Sequence, residues 1–327
     1  MRAYVERYEA AGALAGPVVG VVGGDLPPSL VAGLGAHPVR LAGTGEAPSS
    51  AALDLLGAAT DAPVLSILTQ ILDGRFDYLA GLVVCRDSVG SLNLFYVLRG
   101  LRLPFPVHLC QVLHLDRPST VAFNAGQLRR TVDVVGRWVG VEFDADRQHD
   151  AANRYAALDD TLRALQQRRR TTGTVRGTTF LQCVGIAATY PPEEARRLVE
   201  AVGDEEAPAF RLFYTGSTQH HPDLYRAVED RGANIVGEDH DWGDLHLNGG
   251  PAGPSATQTA RAGWTAQEFR ACRADALLAV VREHDTGPAW DVPGQRAAVE
   301  PSAVCLRQQN NYDDVLDAVD ALRKGTA

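Results

Sequence analysis

The chain has 327 residues, 45% of them hydrophobic and 22% charged, which is the composition of a globular protein large enough for two α/β domains. Its formal net charge of −9 disfavours a nucleic-acid-binding surface, because phosphate recognition requires a basic face. The five cysteines are widely spaced and form no Cys-x-x-Cys pair, which disfavours a zinc knuckle or a disulfide framework and indicates reduced thiols.

No stretch of the sequence has the length of a membrane span. The apolar run from Ala11 to Val22 is similar to a signal-peptide core, but Glu6 and Glu9 occupy the place of a basic flank and Pro17 interrupts the run. We therefore predict a short helix followed by a first strand, a cytoplasmic location and no association with a membrane.

The first region, residues 1–118, alternates strand and helix patterns and is predicted to be an α/β domain. A strand over Val18–Val22 leads into the turn Gly23-Gly24-Asp25, a helix begins after Pro27-Pro28, and a second strand follows His37-Pro38. The turn lacks the full Gly-x-Gly-x-x-Gly spacing, so the pattern favours a simple turn over a dinucleotide site.

The most informative stretch runs from Asp77 to Arg99. Its apolar residues 81–84 predict a strand, Cys85-Arg86-Asp87-Ser88 predicts a loop, and the spacing of the apolar residues that follow predicts a helix. Loops that leave the carboxyl ends of parallel strands gather in one crevice, so these polar residues are well placed for chemistry. Another short strand is predicted over Phe105–Cys110.

The middle region, residues 119–207, has helical periodicity throughout. One of its helices ends with Gln166 to Arg170, where cations complement the helix dipole, and this basic triplet favours a solvated helix terminus over a phosphate site. The third region, residues 208–327, is predicted to be a second α/β domain. It has a long loop from Gly243 to Gly263 and a short strand Ala233–Val236 that ends before an acidic loop. The predicted fold is thus α/β, with two doubly wound parallel-sheet domains of Rossmann or flavodoxin type and a helical middle segment.

Four segments, in their order and spacing, resemble the 2-hydroxyacyl-CoA dehydratase and benzoyl-CoA reductase family. The first β-α-β unit, with its Leu-Pro-Pro and its Ala-His-Pro-Val-Arg-Leu, looks like the first unit of that family. Residues 77–96 are similar to its strand, Cys-Asp-Ser loop and helix, residues 213–241 to its glycine turn, helix and strand, and residues 274–285 to its strand ending in Phe-Cys-Asp.

The resemblance implies three cysteines per subunit that hold an iron–sulfur cluster, and this chain departs from that pattern. Aligning Asp87-Ser88 and Asp285 with the family puts Arg86 and His284 at two of the cysteine positions, and Ala62 before Pro63 at the third. A shift of one residue restores Cys85, but one thiolate cannot hold a cluster that normally takes four cysteine ligands or a close substitute. We predict no iron–sulfur cluster of the usual kind and no other cofactor.

The replaced positions are predicted to remain the functional ones, in the crevice between the two α/β domains. Arg86 is a fixed cation that can bind a carboxylate in bidentate fashion, Asp87 and Ser88 add an acid and a hydroxyl, and His284 with Asp285 forms a base that titrates near neutral pH. The alternative is structural: Arg86 and Asp87 pair with each other and fill a vacated pocket.

Further residues are predicted to bind substrate at the loops that follow the strands. The turn after Tyr214 is a plausible anion-binding turn or a plain turn, and His240 could join nearby histidines in a metal site, although no spacing matches a known metal motif and exposed polar loops are favoured. Trp242 by itself favours packing. The predicted substrate-binding residues are Gly24, Asp25, Gly216, Ser217, Gln219, His240 and Trp242, and the neighbouring histidines are His220, His221 and His246.

Three functions remain open from the sequence. The first is a cluster-free relative of the dehydratases that acts on an acyl-thioester or carboxylate substrate by acid–base chemistry, as a lyase. The second is a non-catalytic subunit that pairs with a cluster-bearing homologue, since the resemblance implies homo- or heterodimers of related subunits. The third is a metal-dependent enzyme that uses the region of His240.

Overall fold

A computed structural model describes residues 1–115, 117–247, 258–308 and 312–325. The chain divides into two compact units: Met1–Asp160 with Gly185–Glu200, and Thr161–Val184 with Ala201–Ala327. Among the described residues, none of the helices combines the length and the apolarity that crossing a membrane would require.

The first unit contains a parallel four-stranded sheet. Its strands are β1 (Val18–Val22), β2 (His37–Arg40), β3 (Gly81–Cys85) and β4 (Val107–Cys110), in the spatial order β2-β1-β3-β4. Every residue of β1 and β3 is buried, as expected for apolar strands covered on both faces by helices. The predicted strands of this region are confirmed, with small differences in their bounds: β3 is one residue longer than the apolar run, β2 begins at His37 itself, and β4 begins two residues after Phe105.

Helices cover both faces of this sheet and enclose two apolar cores. One core gathers around Leu68, Phe76 and Leu82, and the other around Val21, Leu34 and Val135. The helices up to residue 200 are α1 (Arg2–Val5), α2 (Arg7–Gly12), α3 (Pro28–Ala32), α4 (Ser50–Leu56), α5 (Ala62–Leu72), α6 (Val89–Gly100), α7 (Pro118–Val139), α8 (Ala145–Thr171), α9 (Gly177–Ala187) and α10 (Pro192–Glu200).

The second unit repeats the strand order of the first. Its parallel strands are β5 (Phe210–Gly216), β6 (Ala233–Asp239), β7 (Ala276–Arg282) and β8 (Ser302–Gln308), in the order β6-β5-β7-β8. In each sheet the direction in which successive strands are added reverses between two neighbouring strands, β1 and β3 in the first sheet and β5 and β7 in the second. The carboxyl ends of these strands form the switch point, where ligands bind in open α/β sheets. The predicted α/β class with two parallel-sheet domains is confirmed.

Two predictions for the second unit are wrong in part. The region Gly243–Gly263 is not one long loop, because α12 (Asp244–Leu247) and the start of α13 (Gln258–Ala271) lie within it; residues 248–257 lie outside the described residues. Strand β6 runs three residues past its predicted end at Val236, so acidic residues assigned to a loop belong to a buried strand. The remaining helices are α11 (Asp223–Asp230), α14 (Val292–Ala298) and α15 (Asp313–Lys324), with a 3-10 turn at Pro288–Trp290.

Candidate functional site

The switch point of the first unit is the contact between the turn after β1 and the loop after β3. Gly23 has a φ of +93°, and a Cβ placed on it would lie 2.3 Å from Asp87 Oδ2 and 2.8 Å from Cys85 Cβ. Only glycine permits this close approach. On the other side, Asp87 Oδ1 accepts a hydrogen bond from the Ser91 hydroxyl at 2.6 Å, and Ser88 Oγ caps α6 by accepting from the backbone N–H of Ser91 at 3.0 Å. The capping interactions therefore fix the loop that carries Arg86.

Arg86 is exposed at this switch point. Its backbone N–H donates to the carbonyl oxygen of Cys110 at 2.9 Å, which holds the residue at the end of the strand. Within the described part of the chain its guanidinium makes no ion pair, so the alternative in which Arg86 pairs with Asp87 is not the arrangement seen. The side chain is available to an anion.

A histidine that the sequence reasoning missed joins this edge of the sheet. Asp25, predicted as a substrate-binding residue beside Gly24, is 6% exposed, and its carboxylate oxygens lie 3.1 and 3.3 Å from Nε2 of His114. His114 follows β4, the strand next to β3, and a polar residue just after a predicted strand was the available signal. The pair links the loops that follow the first and fourth strands.

In the second unit, the turn after β5 is tied to the end of β7. Gly216 has a φ of +110°, and a Cβ there would lie 2.1 Å from the carbonyl oxygen of Val280. Ser217 donates its backbone N–H to the same carbonyl at 2.8 Å, and its hydroxyl accepts from the backbone N–H of Arg282 at 2.9 Å. Gln219 donates to the Tyr214 hydroxyl at 2.6 Å. The buried polar groups of Ser217 and Gln219 thus bond within the unit.

The segment after β7 carries the predicted base. Arg282 donates to the carbonyl oxygen of Thr218 at 2.5 Å and lies 3.5 Å from the carboxylate of Asp285. His284 is exposed, and its Nε2 is 4.0 Å from a carboxylate oxygen of Glu283. The imidazole is therefore open to solvent, while Arg282 and Asp285 shape the turn that carries it.

His240 does not lie on an exposed loop, and that prediction is wrong. It is 2% exposed, its Nε2 lies 3.0 Å from the Tyr225 hydroxyl, and burial lowers its pKa to about 3, so the imidazole is neutral. Trp242 is 1% exposed and packs against the ring of His220 at 5.6 Å between centroids. The described residues bring no three potential metal ligands together, and the side chain of His246 lies outside them.

The basic triplet at the end of α8 is not a solvated helix terminus, because two of its arginines are buried in ion pairs. Arg169 is 0% exposed and donates to Glu238 at 2.7 and 3.1 Å and to Asp244 at 2.7 Å; Arg170 donates to Asp244 at 2.5 Å. We call Arg169, Arg170, Glu238 and Asp244 the buried ionic cluster. Burial raises the pKa of Glu238, whereas for Asp244 burial is outweighed by the two guanidinium groups, which lower its pKa. The contacts of Arg169 and Arg170 are thus ion pairs within the protein.

The residues present do not fit a cysteine-ligated iron–sulfur cluster. Of the three positions that the resemblance assigns to ligands, Ala62 offers no ligand atom, Arg86 offers a cation and His284 offers an imidazole. Cys85 and Cys110 are adjacent on β3 and β4, but both are 0% exposed and belong to an apolar core of the first unit. The hydrogen bond that the Cys85 thiol donates to Cys110, together with burial, raises the pKa of Cys85, which disfavours the thiolate form a ligand needs. The same bond lowers the pKa of Cys110, so at most one thiolate of the pair is favoured.

A comparison with protein families gives a match over most of the chain. A family model described as 2-hydroxyglutaryl-CoA dehydratase, D-component, matches residues 25–257. The match spans the Arg86 loop of the first unit and the His240 region of the second, and it ends before His284. A search of the curated proteins gives no match to the chain.

Proposed function

Because the chain belongs to the 2-hydroxyglutaryl-CoA dehydratase D-component family, we propose that it is a dehydratase-type enzyme that works without an iron–sulfur cluster. Its substrate would be an acyl-thioester or a related carboxylate, and its reaction the elimination of water by acid–base chemistry. In that reaction a C–H bond and a C–O bond break, a C=C bond forms and water leaves, so no electron donor or acceptor is consumed.

The exposed guanidinium of Arg86 is the observation that carries this proposal. It lies at the switch point of the first unit, on a loop fixed by the Ser88 cap, and makes no ion pair within the described residues. A guanidinium in that position would bind a carboxylate in bidentate fashion, or stabilise the enolate oxygen that develops when a proton is removed next to a thioester. Asp87 and Ser88 would orient the loop rather than react.

His284 would transfer the proton. Its imidazole is exposed on the turn after β7, and histidine is the side chain whose ordinary pKa best suits general acid–base catalysis near neutral pH. Asp285 would keep the turn in place through Arg282. Variants at Arg86 and at His284 test the two roles separately.

The test is turnover by the purified full chain with 3-hydroxyglutaryl-CoA as the probe, because removal of its C2 proton gives a thioester enolate that can expel the C3 hydroxyl. The unsaturated thioester is detected by mass spectrometry. We expect His284→Ala to lower kcat about 100-fold or more with an unchanged Tm, which is the usual contribution of a general acid or base. Arg86→Gln should mainly raise KM. The exposed residues His149 and Arg99 provide matched controls, and His149→Ala and Arg99→Gln should leave both constants unchanged.

Two results would contradict the proposal. Retained turnover in His284→Ala would remove His284 from the role of base. A full complement of iron and acid-labile sulfide on protein purified without oxygen would overturn the cluster-free mechanism, whatever the variants do.

The word component in the family description favours a second candidate function, a non-catalytic subunit that pairs with a cluster-bearing homologue. In that case the chain alone should be inert, and a pull-down from its own cell should recover a related, cysteine-rich partner. Turnover by the isolated chain would exclude this candidate.

A further inference from the structure

A cavity of about 320 Å³ lies in the first unit at the edge of the sheet opposite to the Arg86 loop. Pro17, which precedes β1, and His37, which opens β2, both line it, so it lies at the amino ends of these strands. Arg86 follows the carboxyl end of β3. The cavity is therefore separate from the site of the proposed function.

The walls of the cavity are mostly apolar. Leu14, Tyr155 and Pro191 line it together with small residues, and Tyr155 is 8% exposed. A Cβ added to Gly16 or to Gly35 would meet no atom within 4 Å, so the space beside both glycines is open. Volume and lining match a site for a small molecule with an apolar body, fixed by a few polar groups.

One of the polar groups of the cavity is the imidazole of His37, and its hydrogen-bond partner determines which ring nitrogen carries the proton. Nε2 of His37 lies 2.7 Å from the carbonyl oxygen of Thr189, and since a carbonyl only accepts, Nε2 carries the proton. Burial lowers the pKa of His37, which keeps the ring neutral, so Nδ1 has a lone pair. His37 thus offers an acceptor to a ligand that carries N–H groups.

The other two polar groups are a cation and an anion at the rim. Nη1 of Arg154 lies 3.8 Å from Oε1 of Glu193, and the two side chains are 49% and 55% exposed. This contact is an ion pair without a hydrogen bond, so both charged groups keep hydrogen-bonding capacity for a ligand. Opposite charges a few ångströms apart complement a ligand whose own carboxylate and ammonium groups are adjacent.

We propose that this cavity binds a free α-amino acid with an apolar side chain. Its carboxylate would bind Arg154, its ammonium group would donate to Glu193 and to Nδ1 of His37, and its side chain would lie against Leu14 and Tyr155. The site is independent of the chemistry at Arg86, so either proposal can fail alone.

The test is isothermal titration of the full chain with L-leucine as the probe. We expect saturable one-site binding, and Arg154→Gln should weaken it about 10-fold or more, equivalent to about 1.4 kcal/mol. Arg147 is the matched control, because it lies on the same helix, is 52% exposed and forms an ion pair with Asp144 at 3.7 Å. Arg147→Gln should leave the affinity unchanged.

A second variant is designed to fill the cavity from Gly16, one of its lining residues. Gly16→Leu places a side chain in open space and should abolish binding at an unchanged Tm. The ligand class is tested with 4-methylpentanoate, which lacks the ammonium group, and with 3-methylbutylamine, which lacks the carboxylate; both should bind far more weakly than L-leucine. Absence of saturable binding, equal binding of either analogue, or full binding by Gly16→Leu would overturn the proposal.

Discussion

Replacing Arg169 by methionine tests whether the buried ionic cluster is essential to the second unit. The guanidinium is 0% exposed, makes three hydrogen bonds of 2.7, 3.1 and 2.7 Å, and lies 3.8 Å from the centroid of the Phe180 ring. Methionine keeps most of the apolar packing and removes the charge. Glu238 and Asp244 would then remain buried with less compensation.

The expected cost follows from what remains after the substitution. Removing one partner of a buried ion pair typically costs about 3–5 kcal/mol of unfolding free energy. Asp244 keeps its bond to Arg170 at 2.5 Å, and Glu238, whose pKa is already raised by burial, can take up a proton. Both effects reduce the cost, so we expect about 3 kcal/mol for Arg169→Met. Since protonation of Glu238 is easier in acid, the loss should be larger at pH 8 than at pH 5.

The measurement is urea unfolding of the variant, and the adjacent residue provides the control. Arg168 pairs with Asp204 at 2.9 Å, with side chains 34% and 74% exposed, so Arg168→Met should cost less than about 1 kcal/mol. Adding Glu238→Gln to Arg169→Met should recover part of the loss, because the uncompensated carboxylate is then gone. If Arg169→Met destabilises the protein no more than Arg168→Met does, the ion pairs are not the stabilising element inferred here.

Three further predictions concern local features of the fold. The pKa of His240 is higher in the unfolded state than its folded value of about 3, so the free energy of unfolding should fall as the pH drops from about 6.5 toward 3, by up to about 1.4 kcal/mol per pH unit. Urea unfolding at a series of pH values measures this slope. His240→Gln should flatten it, whereas His149→Gln, at an exposed histidine, should not. Ser88→Ala removes the cap of α6 and should cost about 1 kcal/mol in the same assay, and a loss close to zero would show that the cap is not stabilising. Gly216→Ala places a Cβ 2.1 Å from a strand carbonyl at a φ of +110° and should lower the free energy of unfolding, derived from the Tm, by about 2 kcal/mol or more. Gly100→Ala is the control, because the space around this glycine at the end of α6 is open, and it should be neutral or stabilising. Equal effects of the two substitutions would contradict the close-approach argument.

The fold class could be predicted from the sequence because buried parallel strands and amphipathic helices have strong local signatures. Neighbouring residues alone were enough to predict two features correctly: the continuous apolar strand β1 and the strand, loop and helix around Arg86. The helix α14 was missed, and its one proline and its glycine explain why, since a short helix with Val292-Pro-Gly at its start has a turn-like sequence.

The burial of polar residues could not be predicted, because it depends on partners distant in the sequence. The basic end of α8 has the pattern of a solvated terminus, and only the contacts of Arg169 with Glu238, 69 residues later, place it in the core. His240 was assigned to a polar loop because acidic residues flank it, yet β6 extends through Asp239 and leaves the imidazole beside Tyr225. Charge alone predicts exposure, and ion pairing overrides it.

The two switch points share a strand order but differ in what they offer a ligand. After β5, the polar groups of Ser217 and Gln219 bond to their own unit, so this turn has little hydrogen-bonding capacity left for an anion. After β3, the cap and the carboxylate–hydroxyl contact use Ser88 and Asp87 but leave the guanidinium of Arg86 exposed. An anionic substrate would therefore be recognised by the first unit. In the family that this chain resembles, a cysteine ligand occupies the position of Arg86. That position would then bind an anion instead of a metal, with no change in the strand and the helix that hold it.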